Sequence, residues 1–575
     1  MNDFLTQLSH RHAYLALLLV AMFSLWIKLG LLGTGAPYVT IDDYTLFEAG
    51  FLVWFGEAPP QRMYFESWLV GASSLVTYLS HLIASGNLQQ LGLNLIADAY
   101  ADFHQSPDDY VTHYRLFMLA FDMATAMLVF KLALLIYRPI NTGNTGFTNT
   151  KATWLACAAA SLFLLSYNTT WCYIVARPDT VTAFFAALGS YYYFKSQGGA
   201  NTKYLCFAAL ALGCATGFKL HAALFVVFFI VDMLRQFGLA AFKRSFMFGL
   251  IAFCLFLVTA GSPLFDPLLY VKLRALNIKD DASPWIHWGD QIGVTLRGTG
   301  WLILPLLIGL AVTFLRTKLT RTQAVNSQAA NNRAPSPHDQ AIISLVFVAC
   351  LFMLFFLSIR QLRAYWMLPA LPLFYVAALY AVAQVKSKWA IGVSLVVIFG
   401  MFLQQFIQQS HEFDKAQFGE MRTWVSANVQ PHEVIYIVGY ETLFLPCNTQ
   451  CLANRKFSLE TRIQQAIAAG ESFTERHIRN WEERAKLQLI DMLNEQAVGF
   501  NYYTLNGAPL KSLYPKVKLA DIEYLIVLPG YHSPEADELL HQVLPKFTKV
   551  ATTNAPGGKA GTGGLAYDIY KRKQP

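Results

Sequence analysis

The chain of 575 residues is 55% hydrophobic and only 14% charged, roughly half the charged share of a soluble domain, and its mean hydropathy is +0.37. This composition excludes a soluble enzyme, a disordered chain and a disulfide scaffold, and leaves a polytopic α-helical membrane protein. The net charge of +8, from 44 Lys+Arg against 36 Asp+Glu, is an excess that membrane topology absorbs, and no basic patch interleaved with aromatics suggests a nucleic acid partner.

A helix needs about 20 mostly apolar residues to cross a bilayer. On that rule about eleven spans are expected, near 13–33, 112–136, 153–172, 180–197, 203–217, 220–235, 246–262, 299–316, 341–358, 364–384 and 389–408. The first is too long for the core of a signal peptide. With the N-terminus cytoplasmic, the inside loops hold about fourteen basic residues, including Arg138, Lys195, Lys203, Arg235, Lys243, Arg244, Arg316, Lys318, Arg321, Lys386 and Lys388, against about nine in the longer outside loops. The N-terminus is therefore expected inside, and an odd number of spans puts the C-terminus outside, as for a multi-pass protein of a cell's inner (cytoplasmic) membrane. Residues 65–85 are nearly long enough to span but carry Glu66, several serines, Thr77 and His81; counting them would invert every later loop. They are expected to form an amphipathic helix on the outer surface. Residues 317–340 are a polar inside loop.

From about residue 410 the hydropathy falls. Residues 411–429 are expected to form an amphipathic helix, 434–440 (VIYIVGY), 523–530 (EYLIVLPG) and 566–572 (AYDIYKR) strands, and 533–544 a serine-capped helix. The domains are thus 1–408, a membrane domain with an outer loop at 34–111, and 409–575, an extracytoplasmic α/β domain. The glycine run PGGKAGTGG at 556–564 does not fit a phosphate loop and is expected in a hairpin connection. Cys157, Cys172, Cys206, Cys214, Cys254 and Cys350 lie in apolar runs and are expected to act as small hydrophobes. Cys447 and Cys451 stand four apart on the oxidising side, where a disulfide is expected.

Chemistry concentrates in the first outer loop, where Asp42 and Asp43 follow the first span. Adjacent carboxylates beside an apolar surface push their pKa values apart, which suits a general base with a neighbouring substrate or metal ligand. Glu66 lies further along the same loop. The short outer turn YIVARPDTV carries Arg177 and Asp179, and Lys219 interrupts ALGCATGFKLHAALF at another outer turn. Four carboxylates beside cations suit a phosphorylated substrate, with Asp43, Glu66 and Asp179 as oxygen ligands for a hard divalent cation such as Mg or Mn.

At these residues the chain resembles the integral membrane glycosyltransferases of the GT-C fold, especially the bacterial dolichyl-phosphate-mannose-protein mannosyltransferase and aminoarabinose transferase type. IDDY and FGEAPP resemble the acidic pair and helix end of the family's first outer loop. Tyr64-Phe65-Glu66-Ser67-Trp68 keeps the Glu of a second signature and lacks its Lys or His and its Pro. ARPDT, ATGFKLHAAL and IRQLRAYWMLPALPLFYVAAL, the last with Arg360 and Arg363, follow in the family's order. The resemblance covers most of residues 10–408. It implies transfer of a sugar, with inversion, from a polyprenyl-phosphate donor to a hydroxyl of a glycan, lipid or protein acceptor. Asp42 would take the acceptor proton; Asp43 and Glu66 would orient sugar or acceptor; Arg177, Lys219, Arg360 and Arg363 would stabilise the leaving phosphate. A multi-span transporter or flippase of a lipid-linked or anionic substrate is the competing class. It expects inverted repeats and charges at the bilayer midplane, whereas no internal repeat is visible and the acids cluster at one surface.

Overall fold

The computed structural model describes residues 10–32, 68–86, 107–137, 149–174, 177–260, 293, 337–358, 364–384, 396–397, 399–405, 407, 417–438, 445–468, 499–505, 519–527, 540–552 and 567–573. The chain divides into two compact units, one of Met1–Gly30, Phe117–Leu264 and Leu276–Gln408, the other of Leu31–Leu116, Phe265–Ala275 and Gln409–Pro575. The loop expected outside, at 34–111, thus falls in the same unit as the C-terminal residues.

Apolar helices build the first unit. They are α1 (His10–Gly30), the greater part of α3 (Pro107–Tyr137), α4 (Asn149–Leu164), α5 (Tyr167–Ile174), α6 (Asp179–Lys195), α7 (Thr202–Phe218), α8 (Ala223–Phe237), α9 (Phe242–Ala260), α10 (Pro337–Ser358) and α11 (Leu371–Gln384); α2 (Trp68–Ser85) and the start of α3 belong to the second unit. Among the described residues Arg11–Gly30, Val111–Tyr137 and Leu220–Ala260 are long and apolar enough to cross a membrane, with mean hydropathies of 1.9, 2.0 and 1.8, and shorter apolar helices accompany them. On α1, Tyr14, Leu15, Leu18, Leu19, Met22 and Trp26 are exposed, and on α9 so are Phe242, Phe246, Leu250 and Phe253. These recur every three to four residues, a continuous apolar face that suits acyl chains and not water. The span expected at 299–316 lies outside the described residues, as does part of 389–408.

Local chemistry decides where these helices stop. The span expected over 153–172 is two helices: the Ser166 hydroxyl accepts from the Thr169 backbone N–H at 3.2 Å, so Ser166 caps α5 and interrupts the run. Between α6 and α7 the chain turns through Gln197, Gly198 and Gly199, all at positive φ, and Asn201 caps α7 by accepting from Tyr204 N–H at 3.4 Å. Small residues let α7 lie close to its neighbours. A Cβ on Gly213 would stand 2.7 Å from the Ala252 carbonyl oxygen of α9, and one on Gly217 would stand 2.7 Å from the Thr259 Cβ.

The second unit holds a five-stranded mixed sheet in the order β2-β1-β3-β5-β4, formed by β1 (Val434–Val438), β2 (Asn501–Leu505), β3 (Tyr524–Val527), β4 (Phe547–Thr552) and β5 (Asp568–Arg572). The first two neighbour pairs are parallel and the last two antiparallel. Strands β1 and β3 are buried on both faces, as continuous apolar strands in the middle of a sheet should be. The expected strands at 434–440, 523–530 and 566–572 are present. β2 and β4 add two that the sequence pattern did not single out, because an edge strand needs only one apolar face. β4 carries Lys549 and an irregularity between Lys549 and Ala551, both of which discourage edge-to-edge pairing. β4 and β5 are antiparallel neighbours, so the glycine run joins paired strands in sequence, as a hairpin connection does; the run itself lies outside the described residues. Helices α12 (Gln417–Asn428) and α13 (Thr449–Ala468) accompany the sheet. Of the helix expected at 533–544, residues 540–543 are described as helical. Cys447 and Cys451 form a disulfide with Cα atoms 5.3 Å apart. It closes the start of α13, where the Asn448 side chain also accepts from Cys451 N–H at 2.9 Å.

Candidate functional site

Arg177, Asp179 and Lys219 meet at one end of α6 and α7. Pro178 stands first in making this corner, because it fixes its own φ at −65° and disfavours helix at the residue before it. The Arg177 N–H closes the end of α5 on the Cys172 carbonyl at 2.9 Å, and the Thr182 N–H opens α6 on the Pro178 carbonyl at 2.9 Å. Asp179 is then the first residue of α6, where the helix dipole favours a carboxylate. Lys219 ends α7 in an extended conformation, φ −148° and ψ 120°, before a short turn over Leu220–Ala222. That break in an otherwise apolar stretch frees the lysine to cross to α6.

The contacts are direct. Lys219 Nζ lies 2.5 Å from Asp179 Oδ1, and Arg177 Nε lies 3.1 Å from Oδ2; the three side chains are 2%, 0% and 5% exposed in the order Lys219, Asp179, Arg177. One carboxylate thus sits between two cations, a group of formal charge +1 sealed from water. His221, two residues past Lys219, interacts electrostatically with all three and stacks on Trp366, with ring centroids 6.3 Å apart at 19°. Trp366 belongs to the 3-10 segment Ala364–Ala370, which packs against α6 and begins one residue after Arg363. An electropositive, water-excluded corner of this kind stabilises negative charge on a bound or departing group.

Of the residues expected to act, Arg177, Asp179 and Lys219 are brought together. Asp42, Asp43, Glu66, Arg360 and Arg363 lie outside the described residues. As a metal ligand Asp179 does not fit: each of its oxygens already carries a cation, so a divalent ion there would meet like charge at contact distance. Among the described residues no three His, Cys, Asp or Glu side chains form a metal-binding group.

Solved structures similar to this chain include two of an ArnT. One is the ArnT of Cupriavidus metallidurans bound to undecaprenyl phosphate, at 12% identity and a TM-score of 0.46, covering 97% of each chain; another is the same protein in the apo state, at 11% identity and a TM-score of 0.41, again covering 97% of each. No family model and no curated protein matches the sequence.

Several polar groups escaped the sequence reading. Lys28 of α1 pairs with Asp122 of α3 at 2.6 Å, both fully buried, and the Tyr173 hydroxyl donates to the Lys28 carbonyl at 2.8 Å. Because Tyr173 adjoins Cys172, α5 links this pair to the Arg177 corner. Toward the far end of α6, about 20 Å away by helix rise, Asp232 accepts from the Tyr193 hydroxyl at 2.7 Å, from Gln236 at 2.8 Å, and from Arg235 Nε and Nη2 at 2.9 and 2.7 Å. An ionisable residue inside an apolar helix was the available signal for both; it marks the residue without naming its partner.

Proposed function

We propose that this protein is a membrane glycosyltransferase that moves a sugar from a polyprenyl-phosphate donor to an acceptor hydroxyl at the outer face of the cytoplasmic membrane. The single observation that carries this reading is the buried Arg177–Asp179–Lys219 group, a net cationic corner at the ends of two apolar helices, where the phosphate of a membrane-held lipid can arrive. The order of the sequence signatures around it supports the same reading.

In the proposed reaction Asp42 accepts the proton of the acceptor hydroxyl as that oxygen bonds to the anomeric carbon. The bond from that carbon to the phosphate oxygen breaks on the opposite face, and its electron pair leaves with the lipid phosphate, so configuration inverts. Arg177 and Lys219, with Arg360 and Arg363, offset the charge gathering on the phosphate. Asp179 holds the two nearer cations in place. Asp43 and Glu66 orient the sugar or acceptor, and are the proposed holders of any divalent cation; dialysis against a chelator tests that role.

Asp42→Asn keeps shape and removes basicity. A positioned base contributes about 10²- to 10⁴-fold, so the variant should turn over at least about a hundredfold more slowly against a panel of polyprenyl-phosphate sugars while still binding the lipid. Asp43→Asn should raise KM more than it lowers kcat. If neither change matters, the catalytic reading of this loop is wrong and the transporter class, to which a buried pair such as Lys28–Asp122 is also suited, replaces it.

A further inference from the structure

Two polar atoms beside the cationic corner have no partner. The Thr180 side chain is fully buried, and its hydroxyl makes no hydrogen bond; the Nε2 atom of His221 is likewise buried and unpaired. Thr180 differs in this from its neighbours. The buried hydroxyls of Thr182, Ser190 and Thr216 on the same helix pair each donate to the carbonyl four residues back, at 2.9, 2.8 and 2.8 Å. Thr180 lies in the same helical turn as Thr182 and forgoes that bond. Buried polar atoms are satisfied as a rule, and an exception calls for a ligand or a function.

Their placement names the ligand chemistry. Thr180 follows Asp179 in the first turn of α6, a helix of 17 residues whose N-terminal dipole favours an anion. His221 lies two residues past Lys219 and interacts with Lys219, Asp179 and Arg177, and its ring stacks on Trp366. A hydroxyl and an imidazole N–H are neutral donors. Beside a group of formal charge +1 they complete a set suited to the several oxygens of a phosphate, which two cations already committed to Asp179 serve incompletely.

We propose that Thr180 Oγ1 and His221 Nε2 are phosphate-contacting donors that bind the substrate's phosphate group next to Arg177 and Lys219. The choice of a lipid phosphate as the carrier of that group rests on the glycosyltransferase reading. Both residues are substrate contacts and bring no bond-making step of their own. Trp366 stacks on the His221 ring, two residues past Lys219 in the sequence KLHAAL.

The test is binding of a polyprenyl phosphate to the purified full-length protein in detergent, followed by tryptophan fluorescence, with inorganic phosphate as a competitor. His221→Phe keeps the ring stack on Trp366 and removes the nitrogen, whereas His221→Gln keeps a donor and loses the ring; Thr180→Val and Thr180→Ser make the same distinction. His221→Phe and Thr180→Val should each weaken binding roughly tenfold or more, the scale of a hydrogen bond to a charged group. His221→Gln and Thr180→Ser should stay within about threefold. Inorganic phosphate should displace the lipid from the wild type, showing that the phosphate itself is recognised, and do so less well in the two deletion variants. Normal binding by His221→Phe with loss in His221→Gln would show a packing role and overturn the proposal, as would unchanged competition in all four variants. Wild-type protein that binds the lipid phosphate but transfers no sugar would sink the glycosyltransferase reading alone; sugar transfer with lipid binding unaffected in the deletion variants would sink this assignment alone.

Discussion

Asp179→Asn removes one negative charge from between two cations and leaves the shape of the site unchanged. In the wild type the formal charge of the group is +1; in the variant it is +2, with Lys219 and Arg177 still buried at 2% and 5% exposure. At an effective dielectric of about 20, unit charges 4 Å apart attract by about 4 kcal/mol. The contacts here are closer, at 2.5 and 3.1 Å, so the gross attraction of each is at least of that order. Most of it offsets desolvation, and what a single deletion exposes is the cost of leaving buried charge without its partner, about 3–5 kcal/mol. Asp179→Asn should therefore lower stability by about that amount in mixed-micelle unfolding by SDS, read from the 12 tryptophans. Lys219→Met alone takes the group to a formal charge of zero and should cost a similar amount. Together the two changes restore +1, so the double variant should be at least about 2 kcal/mol less destabilised than the two single losses combined. A loss below about 0.5 kcal/mol for Asp179→Asn, or strict additivity, would refute the argument that this carboxylate organises the corner.

Other expectations follow from packing and topology. Gly217→Ala places a Cβ against Thr259 and should cost about 1–3 kcal/mol while displacing Lys219 two residues on; Thr259→Ala should recover part of the loss, and a neutral Gly217→Ala would contradict the close approach of α7 and α9. Reducing the Cys447–Cys451 disulfide should cost less than the roughly 3 kcal/mol of a 15-residue loop, because its loop is much smaller; thiol titration without reductant should find neither cysteine free, and two free thiols would count against the oxidised pair. Alkaline phosphatase fused after Gln404 should be active and after Lys318 inactive. The reverse pattern would overturn the topology and remove the outer face from the proposed reaction.

Composition and hydropathy were enough to establish a helical membrane protein, because crossing a bilayer demands about 20 apolar residues whatever the fold. The residues Arg177, Asp179 and Lys219 were legible for a related reason: a charge at the end of an apolar run is costly and stands out against its surroundings. Central strands β1 and β3 were visible as unbroken apolar runs, while β2 and β4 were not, since an edge strand is half exposed and its pattern resembles a loop's. What the sequence could not supply was partnership. Asp179 and Lys219 are 40 residues apart, and Lys28 and Asp122 are 94 apart; no periodicity links such positions, and only helix packing brings them within hydrogen-bonding distance. The Lys219 contact that occupies one oxygen of Asp179, and the unpaired Thr180 and His221 atoms, depend on what stands across a gap between helices. Local sequence sets which segments enter the membrane and which charges they carry there, and tertiary packing decides which of those charges meet.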